Sequence, residues 1–195
     1  MFKDLEQFNF LDQGFYDVRA IADHISSFGD EWSINTSRQD TFIEHRHTNT
    51  YFIHDYAPDW QWKQPYKGSN VCTDPVLNDL VSPIIKDLEA KHNGKVGKAM
   101  LIKLKADTSI EPHVDGGLYL GVSRRNHIAI ITNPDVDFMV GGEVKNMKVG
   151  ECWEINNFRE HAVNNRSSQD RIHLLVDILP YHVLGGEDEH ASTNK

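Results

Sequence analysis

Apolar residues recur at spacings of three and four in two stretches of the first half of the chain. The first stretch runs from Gly14 to Phe28 and predicts an amphipathic helix. The second predicts a helix that begins near Asp74, a good capping residue, with Pro75 at its first position, and ends at about His92. Because proline lacks a backbone N–H, we expect a kink or break just before Pro83 inside this helix.

From position 98 the pattern changes to short segments with two-residue alternation or many β-branched residues, which predict strands. Sequences rich in glycine, asparagine, aspartate and proline separate these segments and predict turns. Closely spaced strands after helices favour a small antiparallel barrel or jelly roll with flanking helices. The predicted strands are Ala99–Leu104, His127–Thr132, Val136–Val140, Gly150–Ile155, His161–Asn164 and Arg171–Leu179.

Length and composition describe one ordinary globular domain. The chain has 195 residues, of which 39% are hydrophobic and 25% charged. We expect a single domain over 1–182, with an N-terminal support of helices and strands in 1–95 and the strand-rich core in 96–182. The polar end of the chain has no apolar anchor, so 183–195 is predicted to be a flexible tail.

Charge and cysteine usage restrict the partners and the compartment. The net charge is −9 and no dense stripe of Lys and Arg is present, which argues against a nucleic-acid partner. The N-terminus lacks the apolar run of a signal peptide, and no stretch is apolar enough to predict a membrane partner. Cys72 and Cys152 are isolated, which fits a reduced, cytoplasmic location.

The segment from Glu111 to Gly117 contains a candidate metal half-site. In an extended segment, residues two apart project to the same face, so His113 and Asp115 can converge on one point. His161, at the start of a later predicted strand, is the candidate third ligand. Two histidines and one carboxylate on one face of a metal leave open the positions that iron(II) oxygenases need. The same three residues could hold zinc or manganese in a cupin-like protein, so this alternative stays open.

Arg171 opens the last predicted strand, where alternation places it on one face with His173 and Leu175. A buried guanidinium on that face requires an anion, and its fork of donors suits a carboxylate. The acid 2-oxoglutarate carries such a carboxylate at the end remote from its metal-chelating keto acid. Arg171 is therefore the candidate anchor for this cosubstrate.

The stretch from about Val96 to Leu179 resembles the catalytic core of the aspartyl/asparaginyl β-hydroxylase family of 2-oxoglutarate oxygenases. The resemblance rests on four motifs, which are Leu101–Leu104, Ile110–Asp115, Gly150–Asn156 and His161–Asn165, and on the later Arg171 and Asp177. It implies a double-stranded β-helix, cupin-like core in a mainly β (α+β) fold, and the cofactors iron(II), 2-oxoglutarate and dioxygen. It also implies that Arg125 and His127 lie beside the cosubstrate.

One departure from the family pattern concerns the acidic ligand. The animal peptide hydroxylases of this family have glycine in its place, whereas Asp115 is present here. The chain therefore resembles the small bacterial-type members, which include hydroxylases of free amino acids. The function that the resemblance implies is hydroxylation of an amino acid or of an aspartyl/asparaginyl-type side chain. A non-oxidative metal cupin that binds or isomerises a small carboxylic acid is the alternative.

Two further segments are candidates for the substrate side of the site, and the partner expected there is a small molecule or a peptide. The run His45, Arg46 and His47 could line a pocket, although an exposed polar edge strand is the favoured interpretation. Trp60 and Trp62 alternate about one glutamine and are candidates for a lid or for packing on the barrel. The sequence leaves the oligomeric state open.

Overall fold

The computed structural model of the protein describes residues 8–56 and 67–184, and two antiparallel sheets dominate it. The larger sheet has seven strands in the order β1-β9-β6-β11-β4-β2-β3, and the smaller has four in the order β5-β10-β7-β8. The strands are β1 Phe10–Phe15, β2 Thr48–Tyr56, β3 Gly68–Asn70, β4 Gly94–Leu104, β5 Thr108–His113, β6 Arg124–Ile131, β7 Val136–Val140, β8 Glu143–Lys145, β9 Glu151–Ile155, β10 His161–Asn165 and β11 Arg171–Pro180.

Within the described ranges, five α-helices connect and cover these strands. They are α1 Arg19–Ile25, α2 Ser37–Thr41, α3 Pro75–Lys91, α4 Leu118–Val122 and α5 Tyr181–Leu184, with short 3₁₀ helices at Asp30–Ser33 and Ile43–His45. None of the helices in the described ranges is long and apolar enough to cross a membrane. The predicted mainly β jelly roll, with helices flanking a double-stranded β-helix, is confirmed.

Two apolar layers hold the fold together. One lies between the sheets and joins Leu104, Ala129 and Ile155 of the larger sheet to Ile110 and Val163 of the smaller. The other covers the outer face of the larger sheet, where the buried faces of α1 and α3 pack. The helices therefore close one side of the larger sheet and leave its inner face to the space between the sheets.

Strand β11 shows how one sequence serves both layers. It lies between β6 and β4 and is buried along its whole length. Because alternate residues of a strand face opposite sides, Leu174 and Val176 join the helix-covered core. Arg171 and Leu175 line the inner cavity, as the alternation of the sequence predicts.

Helix α3 forms as its sequence predicts at both ends. The side chain of Asp74 accepts a hydrogen bond from the backbone N–H of Leu77 at 2.9 Å, and Pro75 occupies the first turn. The helix runs without a break through Pro83, contrary to the possibility of a break there. Its buried face, which includes Val81 and Ile84 on either side of this proline, packs against the core and holds the helix continuous.

The structure corrects two expectations at the ends of the chain. The helix predicted over Gly14–Phe28 is shorter, because Gly14 and Phe15 belong to β1 and pair with β9. The predicted tail begins too early, since Val183 and Leu184 are buried in helix α5. The remainder of that tail lies outside the described residues, as do Trp60 and Trp62. Cys72 and Cys152 are free thiols.

Candidate metal centre

The two candidate histidine ligands lie opposite each other on neighbouring strands. Strand β10 pairs antiparallel with β5, and the register places His161 directly across from His113. Their ring centroids are 4.2 Å apart. A cross-strand pair of this kind brings together two residues that are distant in sequence, at the last residue of β5 and the first residue of β10.

Asp115 completes the group from the loop that follows β5. Its backbone N–H donates a hydrogen bond to the carbonyl of Asn157 at 3.1 Å, which fixes the loop beside β10. Its carboxylate oxygens lie 3.9 Å from Nε2 of His113 and 3.8 Å from Nε2 of His161. One ligand atom from each of the three residues lies within 4.8 Å of the others, so they converge as the sequence predicts.

Backbone contacts fix the orientation of both imidazoles. Nδ1 of His113 lies 2.8 Å from the carbonyl of Glu111, and Nδ1 of His161 lies 3.0 Å from the carbonyl of Arg159. With a proton on Nδ1, each imidazole donates a hydrogen bond to its carbonyl, and Nε2 keeps the lone pair that can bind a metal. Burial lowers the pKa of His161, so this imidazole is neutral and able to bind a cation at physiological pH.

The donor set of the triad is two imidazole nitrogens and one carboxylate oxygen. This composition fits iron(II), which is bound in this way when several coordination positions must remain for other ligands. Zinc and manganese accept the same donors, so the triad alone does not select the metal. The residues around the triad must therefore be used to distinguish an oxygenase from a non-oxidative metal protein.

Arg125 links the triad to the larger sheet. Its guanidinium donates to both oxygens of the buried Asp177, at 2.9 and 2.8 Å, and also contacts the carboxylate of Asp115. Strand register explains the first contact, because Arg125 on β6 lies directly across from Asp177 on β11. Burial acts to lower the pKa of Arg125, but the two carboxylates outweigh it and raise that pKa.

The same ion pair sets the charge of Asp115, the candidate acidic ligand. Burial acts to raise the pKa of Asp115, but Arg125 and the two histidines outweigh burial and hold the pKa below its usual range. Asp115 is therefore a carboxylate at neutral pH. Arg125 uses three of its five N–H donors on carboxylates, which leaves two donors for other partners. Its contact with a cosubstrate stays a prediction.

Arg171 lies in the same cavity as the triad, with 1% of its surface exposed. Its guanidinium donates to Nδ1 of His173 at 2.6 Å and stacks 5.6 Å from the ring centre of Phe138. Nε of Arg171 is buried without a hydrogen-bond partner, and no ion pair reaches this side chain among the described residues. Burial lowers the pKa of Arg171 to about 9, so the group remains cationic at neutral pH.

His127 lies in the cavity beside these groups, as the family resemblance implies. The side chain is buried, and its Nδ1 lacks a hydrogen-bond partner in the described part of the chain. Burial, followed by repulsion from Arg171 and Arg125, holds the pKa of His127 well below its usual value. His127 is therefore a neutral imidazole with one unsatisfied nitrogen, and its predicted contact with the cosubstrate remains a prediction.

Sequence reasoning missed one residue of this site and misread another. Arg38, on the short helix α2, lines the cavity, and no motif or periodicity marked it. His45 ends a 3₁₀ helix and does not lie on an edge strand; its ring packs 5.5 Å from that of His113. Its neighbour Arg46 is exposed, so the run of three cationic or titratable residues divides between cavity and surface.

Comparison with known proteins places this geometry in a family. A family model described as aspartyl/asparaginyl β-hydroxylase matches residues 37–180. The chain belongs to this family. The match of this β-hydroxylase family member includes the whole triad, Arg171 and the newly found Arg38. A search of curated proteins gave no significant sequence match.

Three solved structures align with parts of this aspartyl/asparaginyl β-hydroxylase family member. An oxidoreductase of the 2OG-Fe(II) oxygenase family from Burkholderia pseudomallei aligns with a TM-score of 0.50 and 12% identity, over 68% of this chain and 67% of that one. A predicted oxalate decarboxylase from Thermotoga maritima aligns with a TM-score of 0.36 and 21% identity, over 47% of this chain and 72% of that one. A cupin domain from Bordetella pertussis aligns with a TM-score of 0.34 and 13% identity, over 42% of this chain and 79% of that one. At 12% identity, the likeness to the Burkholderia pseudomallei structure concerns the fold alone.

Proposed function

We propose that this chain is an iron(II)- and 2-oxoglutarate-dependent oxygenase that hydroxylates an amino acid or an aspartyl/asparaginyl-type side chain. Membership of the aspartyl/asparaginyl β-hydroxylase family supports a hydroxylase. The observation that carries the choice of cosubstrate is the guanidinium of Arg171, which is buried in the metal cavity and has no carboxylate of the described chain as its partner.

A buried cation without a counter-ion is costly, and an anionic ligand relieves that cost. Arg171 would bind the remote carboxylate of 2-oxoglutarate through paired N–H donors. His173 accepts one hydrogen bond from Arg171 and fixes the direction of the fork. A metal cupin that isomerises a small acid has no need of a second, remote anion site, so Arg171 favours the oxygenase over this alternative.

The other residues of the site have distinct roles in this proposal. His113, Asp115 and His161 would hold the metal, with Nε2 of each histidine kept free by its Nδ1 contact. Arg125 would keep Asp115 ionised and in position. Iron bound here supplies the redox chemistry that couples the oxidative decarboxylation of 2-oxoglutarate by dioxygen to hydroxylation of a substrate C–H bond.

The cavity walls would keep water away from this chemistry. Ile102, Ile110, Val163 and Leu175 are apolar and line the cavity between the sheets, around the triad and Arg171. An apolar wall strengthens the ion pairs inside it and restricts water beside the metal. The cavity continues into a wider pocket bounded by α2 and by the loop after β5, which would admit the prime substrate.

Anaerobic titration with iron(II) and 2-oxoglutarate tests the proposal. The wild-type protein should develop the weak visible charge-transfer band of a chelated 2-oxo acid. The Arg171→Met variant should need a concentration of 2-oxoglutarate about 10- to 100-fold higher to reach half of this band, because a charge-assisted bidentate contact is lost. Its affinity for iron(II), measured without cosubstrate, should change little.

Arg166→Met is the matched control. Arg166 is an exposed arginine near the same hairpin, and its partner is Asp137 on the surface. This variant should titrate as the wild type does. Equal loss of iron and 2-oxoglutarate affinity in Arg171→Met would contradict the role of Arg171. A wild-type protein that binds zinc tightly and gives no band with iron and 2-oxoglutarate would favour the non-oxidative cupin.

A further inference from the structure

Arg38 lies where the metal cavity meets the wider pocket, and it lines both. Its guanidinium makes two contacts with neutral groups. One nitrogen lies 2.9 Å from Nε2 of His45, and the other donates to the sulfur of Met100 at 3.7 Å. Both contacts position the guanidinium at the junction, and neither neutralises its charge.

The other permanent cations of the wider pocket are already paired. Arg125 is held by Asp115 and Asp177. Lys98 lies 3.3 Å from Asp55. Arg38 is the one Lys or Arg lining this pocket for which the described residues provide no ion pair.

Because Arg38 is half-buried, its unpaired charge indicates a site for an anionic ligand. Burial, and then repulsion from Arg125, lower the pKa of Arg38 to about 10, so the group stays cationic at neutral pH. A surface arginine needs no partner because water solvates it. A half-buried guanidinium whose contacts are with neutral groups keeps donors for an anion from outside the chain.

We propose that Arg38 binds a carboxylate of the prime substrate and so orients the substrate's C–H bond toward the metal. This inference rests on the proposed oxygenase function. The position of Arg38 suits the role, because it reaches the wider pocket on the open side of the triad, whereas Arg171 lies in the cavity between the sheets. The two unpaired arginines would thus bind two different acids.

The pocket suggests how a carboxylate there would be bound. Met100 and Leu175 contribute apolar surface beside Arg38, and apolar surroundings strengthen an ion pair. The carboxylate could be the α-carboxylate of a free amino acid or the side chain of an aspartyl residue in a peptide. Both would present a carboxylate to the guanidinium. The experiment below distinguishes a free amino acid from a peptide.

The test compares carboxylate-bearing probes with their neutral counterparts. Succinate release by the iron(II)-loaded protein with 2-oxoglutarate would be measured with four probe sets. These are the twenty L-amino acids, their α-carboxamides, short peptides with an internal aspartate and both ends blocked, and the same peptides with asparagine. At least one carboxylate-bearing set should stimulate release, and its neutral counterpart should stimulate it about tenfold less or weaker still.

The variant Arg38→Gln should lose this preference. With the stimulating probe, its kcat/KM should fall by about 10- to 100-fold, chiefly through KM. Its anaerobic band with iron(II) and 2-oxoglutarate should match that of the wild type. Arg46→Gln, which removes an exposed charge from the same region outside both pockets, should behave as the wild type does.

Several outcomes would overturn the role of Arg38. They are equal stimulation by acids and amides, an unchanged Arg38→Gln variant, or no stimulation by any carboxylate-bearing probe. Each of these leaves the oxygenase itself standing as long as the wild-type band appears. Absence of that band would instead refute the proposed function, so the two failures are distinguishable. Stimulation by blocked aspartyl peptides would identify a peptide substrate, and stimulation by amino acids a free one, both in support of Arg38.

Discussion

The ion pair between Arg125 and Asp177 should make a large, coupled contribution to the stability of the protein. Asp177 is fully buried, and Arg125 is almost so. Two hydrogen bonds, of 2.9 and 2.8 Å, join them. Hydrogen bonds to charged groups contribute about 1.5–3 kcal/mol each, so the pair is worth about 3–6 kcal/mol against the loss of one partner. That agrees with the roughly 3–5 kcal/mol expected when a buried ion pair is broken from one side.

A double-mutant cycle measures this coupling. The variants Arg125→Met and Asp177→Asn should each lower the free energy of unfolding by about 3–5 kcal/mol. Arg125→Met leaves the buried Asp177 without its guanidinium partner, and Asp177→Asn leaves Arg125 with Asp115 as its one carboxylate partner among the described residues. The double variant should lose less than the sum of the two by at least about 2 kcal/mol, since it leaves no uncompensated charge in this pair. Urea unfolding of the metal-free protein in the presence of a chelator, followed by circular dichroism, gives all four free energies.

Thermal unfolding provides an independent check of the single variants. For a chain of this size, each kcal/mol shifts the midpoint by about 2–4 °C, which predicts a fall of about 6–20 °C. Additive losses in the cycle would refute the reasoning, because they would mean that the two side chains contribute independently of each other. A loss below about 1 kcal/mol for Asp177→Asn would refute it as well, since the pair would then behave as a solvent-exposed one.

Three further predictions concern the fold. Burial holds the pKa values of His127 and His173 well below 6.5, so these side chains take up protons when the protein unfolds at lower pH. The metal-free protein should therefore lose stability as the pH falls below about 6.5, by up to about 1.4 kcal/mol per histidine per pH unit in urea titrations. Stability that is constant from pH 7 to 5.5 would contradict this. Gly94→Ala should lower stability by at least about 2 kcal/mol in chemical unfolding, because its new Cβ would meet the carbonyl oxygen of Leu179 on β11; a neutral change would show that the strands can separate. Asp74→Ala should lower stability by about 1 kcal/mol through loss of the α3 cap, and Asp74→Ser should restore most of it.

Local pattern predicted most of the strands that build the inner cavity. The bounds of Val136–Val140 agree with those of β7, and the alternation of β11 placed Arg171 on the inner face. The prediction began β4 five residues too late, at Ala99. Gly94 and Gly97 have low strand propensity, and pairing with β11 forms the strand there.

The candidate metal site was predictable to the extent that its geometry depends on local spacing and on the family resemblance. His113 and Asp115 converge as their separation predicts, although Asp115 lies in a loop held by Asn157 and not on the strand. Arg38 could not be predicted, because α2 is too short to show periodicity and its guanidinium enters the cavity only through tertiary contacts. Of the kink or break expected at Pro83, the break does not occur, since packing of the helix outweighs the loss of one hydrogen bond.

The alternation of β11 has a consequence for how this protein can evolve. Substitutions at Leu174 or Val176 would act on the folding equilibrium. Under the proposed function, substitutions at Arg171 would act on ligand affinity, so the two traits could change separately. A single-residue insertion or deletion in the strand would instead exchange its two faces. It would place the guanidinium against α3 and leucine in the cavity, so this strand should accept point substitutions far more readily than changes of length.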